Sequence, residues 1–314
     1  MDGLSAVLEG PRARDAFLVR CLMGSPWSIR LADEVPLSLT AMVSGTAWAQ
    51  PDGLPAVLLH PGDVVIAQGA GHWTVGDTPT TPVTVTILPG QECYADDGRR
   101  LTEEYDLGVR SWGNTQDPDT VMLSGSYQLG GEVGARLLRA LPPLCVISEA
   151  ELGSPLIPLL DAEIVRPDPG QDAVLDRLLD LLLIASLRAW FSRPDAAVPG
   201  WYLAQGDAVV GPALQRMQGD PTHPWTIAEL ARASLVSRAA FARRFSELVG
   251  EPPMTFLTRW RLALAADLLT DPDLTLEAVA RQVGYSTPFA LSTAFKREYG
   301  ASPRDYRERS VRTG

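Results

Sequence analysis

The sequence predicts an α+β chain in two parts: an N-terminal antiparallel β-barrel with following helices, and a C-terminal all-α domain with two helix-turn-helix units. Three observations predict it. Residues 27–128 break into short apolar stretches divided by turn-forming residues, helical periodicity begins at Glu132, and two segments near the C-terminus repeat one pattern. These mark an N-terminal domain over 1–192, a linker over 193–205 and a helical domain over 206–314.

The strand-rich part reads as WSIRL (27–31), LSLTAMVSG (37–45), TAWAQ (46–50), AVLLH (56–60), DVVIAQ (63–68), HWTV (72–75), VTVTIL (83–88), EYDLGV (104–109) and TVMLSGSYQ (120–128). PDG, PGD, GAG and ADDG lie between them as turns. Short strands at this spacing predict an antiparallel sandwich or barrel, because the intervals are too short for helical crossovers.

A first helix starts at Glu132, with Leu137, Leu138 and Leu141 on one face, and stops at Pro142–Pro143. A second runs from Gln171 to Phe191 with a wide apolar face. That face suits either burial inside one domain or an antiparallel interface between two protomers. RPDAAVPG (193–200) lacks periodicity and reads as a linker.

The repeat is TIAELARASLVSRAAFARRF (226–245) and TLEAVARQVGYSTPFALSTAF (275–295). Each copy opens with Thr as a helix N-cap, carries Glu and an apolar-x-x-apolar-Ala core pattern, turns, and starts a second helix. Two amphipathic helices joined by a tight turn make a helix-turn-helix, whose second helix enters the major groove. PPMTFLTRWRLALAADLLTD (252–271) supplies a helical spacer, about 27 Å long for roughly 18 residues. One duplex turn is about 34 Å.

Composition sets outer limits. The chain has 314 residues, 46% hydrophobic and 21% charged, which suits two globular domains. No apolar run is long enough to span a membrane, and the first fifteen residues show no secretory signal. Cys21, Cys93 and Cys145 are odd in number and widely spaced, as expected of free thiols in a cytoplasmic protein. The net charge of −11 is unevenly divided: residues 1–205 carry −13 and residues 206–314 carry +2. Lys296 is the only lysine, so a phosphate grip must come from arginine.

The LA-x9-F-x3-F pattern, the RWRLALAADLL connecting helix, VA-xx-VGY followed by F-x5-F, and GASPRDYR (300–307) agree in order and spacing. Over about 206–314 the chain resembles the DNA-binding domain of the AraC/XylS family of bacterial transcription regulators. The resemblance implies contacts to double-stranded promoter DNA from Ser237, Arg238, Ala239, Ala242 and Arg243 in the first unit. Arg243 suits a bidentate contact to guanine. In the second unit it implies Thr287, Phe289, Ser292, Thr293, Lys296 and Arg297. Phe289 and Thr293 depart from the family's polar residue and arginine, so this unit is expected to grip phosphates through Ser292, Lys296 and Arg297. Arg244 is read as facing solvent.

LLHPGDVVIAQGAGHWTV (58–75) resembles the cupin sensor domain of one branch of that family. It implies a nucleoid-associated regulator, an activator and homodimer, with RNA polymerase as a further partner and an unknown small molecule as effector. Trp48, His60, His72, Trp73 and Tyr94 are the candidate effector pocket, as aromatic walls with a few polar tips suit small ligands. No HxH occurs and the chain has three histidines, so no metal, cofactor or catalytic residue is expected. The alternatives are a redox sensor using Cys21 and Cys93, where Arg20 beside Cys21 favours thiolate, and a cupin enzyme whose helical domain mediates assembly.

Overall fold

A computed structural model describes residues 17–69, 72–127, 131–196 and 198–313. The expectation about the first fifteen residues lies outside them. The chain divides into two compact units. The first holds the described residues from 17 to 127 and 141 to 196; the second holds those from 131 to 140 and 198 to 313.

The first unit contains β1 (Phe17–Met23), β2 (Ser28–Leu31), β3 (Leu37–Ser44), β4 (Ala47–Pro51), β5 (Val57–Leu59), β6 (Val64–Gln68) and β7 (Trp73–Gly76). β8 (Val85–Leu88), β9 (Glu92–Ala95), β10 (Asp106–Gly108), β11 (Ser111–Gly113), β12 (Thr120–Tyr127) and β13 (Leu144–Ile147) follow. They form two sheets, ordered β10-β11-β1-β12-β3-β6-β13 and β5-β4-β7-β2-β8-β9. Most pairings are antiparallel, as the short connections require; β1 with β11 and β2 with β8 are parallel.

Strand alternation sorts the side chains of the larger sheet. Cys21 and Met23 on β1, and Met122 on β12, join Trp27, Ile29, Trp73 and Val75 in a core shared with the smaller sheet. The intervening Leu18, Leu39 and Leu123 are also buried. The reason is a helical cover. α2 (Glu149–Leu152), α3 (Leu156–Ile164) and α4 (Gln171–Phe191) belong to this unit. A Cβ on Gly125 would stand 3.0 Å from Leu179 of α4, and Tyr127 Oη donates to the Leu179 carbonyl at 2.8 Å. Arg20 points to this outer face, where its Nε donates to Asp161 of α3 at 2.6 Å.

The second unit begins with α1 (Gly131–Leu138) and continues through α5 (Gly200–Leu203), α6 (Gly211–Gly219), α7 (Ile227–Ala233) and α8 (Arg238–Val249). α9 (Pro253–Leu269), α10 (Leu276–Gln282), α11 (Pro288–Tyr299) and α12 (Pro303–Thr313) complete it. The four helices of the repeat start where their hydroxyl residues stand: Thr226, Ser237, Thr275 and Thr287 each accept a backbone N–H from the first turn. α9 serves two cores. Phe256 and Leu257 pack with Leu230, Phe241 and Phe245, while Leu262, Ala265, Ala266 and Leu269 pack with Val279, Leu291 and Phe295. Trp260 is buried as well. A spacer apolar on both sides is held by both units and cannot swing freely between them.

α1 precedes α5 by some sixty residues in the chain yet packs on α9. Arg136 lies with its guanidinium 6.0 Å from the Phe256 ring centroid and 5.7 Å from that of Trp260, within cation–π reach.

Candidate nucleic-acid interface and effector cavity

On α8, Phe241 and Phe245 face the core, which turns Arg238, Ala239 and Arg243 to solvent with Ala242 half-buried beside them. Ser237 caps the helix by accepting Ala240 N–H at 3.2 Å. Arg243 has only a 3.7 Å approach to Glu247 and is otherwise displayed. Arg244 is exposed and also engaged. It forms a two-pronged pair with Asp207, at 2.5 to 3.0 Å. Asp207 also accepts the Val209 and Val210 N–H groups; with Arg244, these hold its carboxyl down at about 2.

On α11, Leu291 and Phe295 are buried, leaving Phe289, Thr293, Lys296 and Arg297 exposed and Ser292 half-buried. Thr287 accepts Ala290 N–H at 3.1 Å as the cap. Three other arginines of this unit are committed to the protein itself. Arg259 pairs with Glu251 and Glu298, and Arg261 donates to the Pro221 and His223 carbonyls. Arg307 donates to those of Leu269 and Leu274.

The first unit encloses a cavity of about 250 Å³ between its sheets. Its wall is apolar at Val19, Leu31, Ile87 and Trp112, and hydroxyl-bearing at Ser38, Ser124, Ser126 and Thr102. Two buried donors on this wall, Trp112 Nε1 and Thr102 Oγ1, have no hydrogen-bond partner. Charge sits in the Glu92–Arg100 pair at 2.8 Å and in Asp33, which accepts from Gln91 at 3.1 Å.

The structure does not bring the five candidate pocket residues together. His60 is exposed, Trp73 is core, and Trp48 sits on β4. His72 lies beside Arg30, with Nδ1 at 3.5 Å from the guanidinium, and lines a separate hollow of about 280 Å³ with Trp73. Tyr94 donates to Glu92 at 3.4 Å, next to the cavity but not on its wall. The cavity residues are scattered over seven strands and the loops between them, and no local spacing announces them.

Cys21 and Cys93 both line the cavity. Burial pushes the Cys21 thiol up to about 12 and the Cys93 thiol to about 11. Arg20 does not favour a Cys21 thiolate, because adjacent strand residues point to opposite faces and Arg20 is engaged by Asp161. Among the described residues no group of three or more His, Cys, Asp or Glu is placed to hold a metal ion, and no helix is long and apolar enough to cross a membrane.

Comparison with known proteins places this arrangement. A cupin family model matches residues 2–192 and a helix-turn-helix domain model matches residues 230–309. A Streptomyces lividans protein described as an AraC-like transcription regulator is 30% identical over 98% of this chain and 98% of its own length. This chain belongs to the AraC-type family. It is a DNA-binding transcription regulator with a cupin-type N-terminal domain. The regulator AlkR of Acinetobacter baylyi is 28% identical over 99% of this chain and all of its own length. The DNA-binding domain of AdpA, solved in complex with a target DNA, is 30% identical and matches 33% of this regulator and 92% of that chain, with a TM-score of 0.31.

Proposed function

We propose that this regulator reads promoter DNA chiefly through α8, with Arg243 contacting guanine and Arg238 a phosphate. The observation that carries the reading is the display of Arg243 on the outer face of α8 beside two alanines, while neighbouring Arg244 is held by Asp207. Small neighbours let the α8 backbone approach the base edges closely. A gel shift on the regulator's own upstream region tests it. Wild type should retard the fragment, and Arg243→Ala should weaken binding by about 1–3 kcal/mol, lost mainly at one G·C pair. Equal binding by both proteins would refute the assignment.

The cavity is the proposed effector site. Its volume, apolar wall and two unserved donors suit a small uncharged molecule carrying a carbonyl or ether acceptor. Trp48, His60, His72, Trp73 and Tyr94 give way to Ser124, Ser126, Thr102 and Trp112 in this role. β12 supplies Ser124 and Ser126 and leads within three residues into α1, which packs on α9. Effector binding then acts on DNA affinity by favouring one placement of α1 and of the linker. Short-chain ketones, lactones and aromatic aldehydes should raise the melting temperature of wild type and leave Ser124→Phe, with its filled cavity, unmoved.

The regulator is further proposed to work in the cytoplasm as a homodimeric activator that engages RNA polymerase. Exposed Leu159 and Val165 on and beside α3, and Val174 and Leu181 on α4, support a protomer interface there. A thiol-sensing reading draws on the shared placement of Cys21 and Cys93 in one cavity. Their raised thiol pKa values leave little thiolate at neutral pH, which favours the small-molecule reading. Catalysis by a cupin enzyme draws no support from either histidine of this unit, since neither His60 nor His72 lines the cavity.

A further inference from the structure

The second recognition helix carries an unusual outer face. Phe289 is 82% exposed, although a large aromatic side chain gains most from burial. It is the second residue of α11, at the end that approaches base edges in helix-turn-helix proteins. Thr293 lies one turn further along the same face, and its hydroxyl donates back to the Phe289 carbonyl at 3.0 Å. The Thr287 hydroxyl is likewise used, accepting Ala290 N–H. The polar atoms of both threonines are therefore engaged with the helix backbone. What the first two turns offer outward is carbon: a phenyl ring and a threonine methyl. Lys296 and Arg297 follow on that face at helical spacing, both exposed.

The floor of the major groove carries one apolar group, the thymine 5-methyl, and phenylalanine and threonine methyls are among the side chains that meet it. We propose that α11 reads thymine 5-methyl groups through Phe289 and Thr293, while Lys296 and Arg297 hold the flanking phosphates. The second unit is then a reader of A·T pairs by shape and methyl contact, not only a phosphate anchor. The operator would combine a G·C pair under α8 with one or two thymines under α11, about one duplex turn away. This rests on the reading that α11 enters the groove.

The test uses the full-length protein and the upstream fragment it protects in footprinting. Each thymine in the half covered by the second unit is replaced singly by deoxyuridine, which removes the methyl and nothing else. One or two of these replacements should weaken wild-type binding about fourfold each, the worth of one buried methyl. Phe289→Ala should bind thymine and deoxyuridine fragments equally, and Thr293→Ser should lose part of the discrimination. Both side chains are exposed, so neither variant endangers the fold. Insensitivity of wild type to every replacement, with Lys296→Ala still weakening binding, would overturn methyl reading while leaving α11 on the DNA. If Lys296→Ala and Arg297→Ala also leave affinity unchanged, α11 is not in the groove and both readings fall. A Phe289→Ala variant that keeps the thymine preference would overturn the assignment to this residue.

Discussion

The carboxylate of Asp267, near the end of α9, accepts the backbone N–H of Glu132, 135 residues earlier in the chain, at 2.6 Å and so caps α1. Val133 N–H approaches the second oxygen at 3.3 Å. Burial pushes this carboxyl up to about 6, with the nearby Glu132 carboxylate adding to the rise against the two N–H groups. The native state thus holds the Asp267 proton more tightly than the unfolded chain does. The contribution of this buried carboxyl to stability is fully present below about pH 4 and is lost as pH rises through about 6, as ionisation meets the cost of burial. Asp267→Asn keeps an acceptor without the charge. Hydrogen exchange of residues 131–140, corrected for intrinsic rates, should slow in this variant at pH 7.5 and lose its dependence on pH between 4.5 and 6.5. An unchanged pH slope would refute the account.

Gly131 begins that helix with φ +93°, and a Cβ there would stand 2.3 Å from the Asp267 carboxylate. Both the conformation and the contact exclude a side chain. Gly131→Ala should unfasten α1, costing about 1–2 kcal/mol of local stability. The same exchange measurement reads it, and protection equal to wild type would contradict the geometry.

Arg244 and Arg238 stand on one helix with different partners. Because Asp207 holds Arg244, Arg244→Ala should leave the salt dependence of DNA binding unaltered, whereas Arg238→Ala should reduce its slope by about one. Asp207→Ala should destabilise the helical unit more than Arg244→Ala does, since it also strands the Val209 and Val210 amides. Affinity measured across a series of potassium chloride concentrations decides the first comparison, and urea denaturation the second.

The two helix-turn-helix turns place different residues in their left-handed position. Leu235 adopts φ +56° and is 93% exposed, while the second unit has Gly284 at the matching place, φ +79°. A leucine in this conformation carries strain that its contacts do not repay. Leu235→Gly should stabilise the first unit by up to about 1 kcal/mol. Gly284→Ala should do the reverse, since its Cβ would meet the Pro221 carbonyl at 2.7 Å. A lowered melting temperature for Leu235→Gly would show that the leucine packs on something in solution.

The helical half was legible because its signals are local. The capping hydroxyls, the apolar periodicity of α7, α8, α10 and α11, and the ending glycines Gly250 and Gly300 all stand within a few residues of what they control. The β half was legible where turn residues bound an apolar run, as they do for β6 (VVIAQ) with both its faces buried. β1 (FLVRCLM), β9 (ECYA), β11 (SWG) and β13 (LCVI) escaped notice: the last three have four residues or fewer, and Arg20 breaks the apolar run of β1. α3 was missed for a related reason: Pro158 interrupts its pattern in the first turn. The cavity was beyond local reading altogether. Its wall joins Val19 to Ser126 through a register set by β1–β12 pairing, and a spacing of more than a hundred residues has no periodic signature.

The arginines that staple the helical unit together carry a consequence for how the regulator finds its site. Arg244, Arg259, Arg261 and Arg307 bond carboxylates and carbonyls of the protein, leaving Arg238, Arg243, Lys296 and Arg297 displayed on the two recognition helices. Each cation kept from phosphate is one counterion fewer released from the duplex. Random DNA, which attracts by charge alone, is therefore expected to hold this acidic chain less tightly than its count of cations suggests. With roughly 10⁶–10⁹ competing sites in a genome, a regulator present in few copies is not absorbed by that background, and its occupancy follows the bases of the operator.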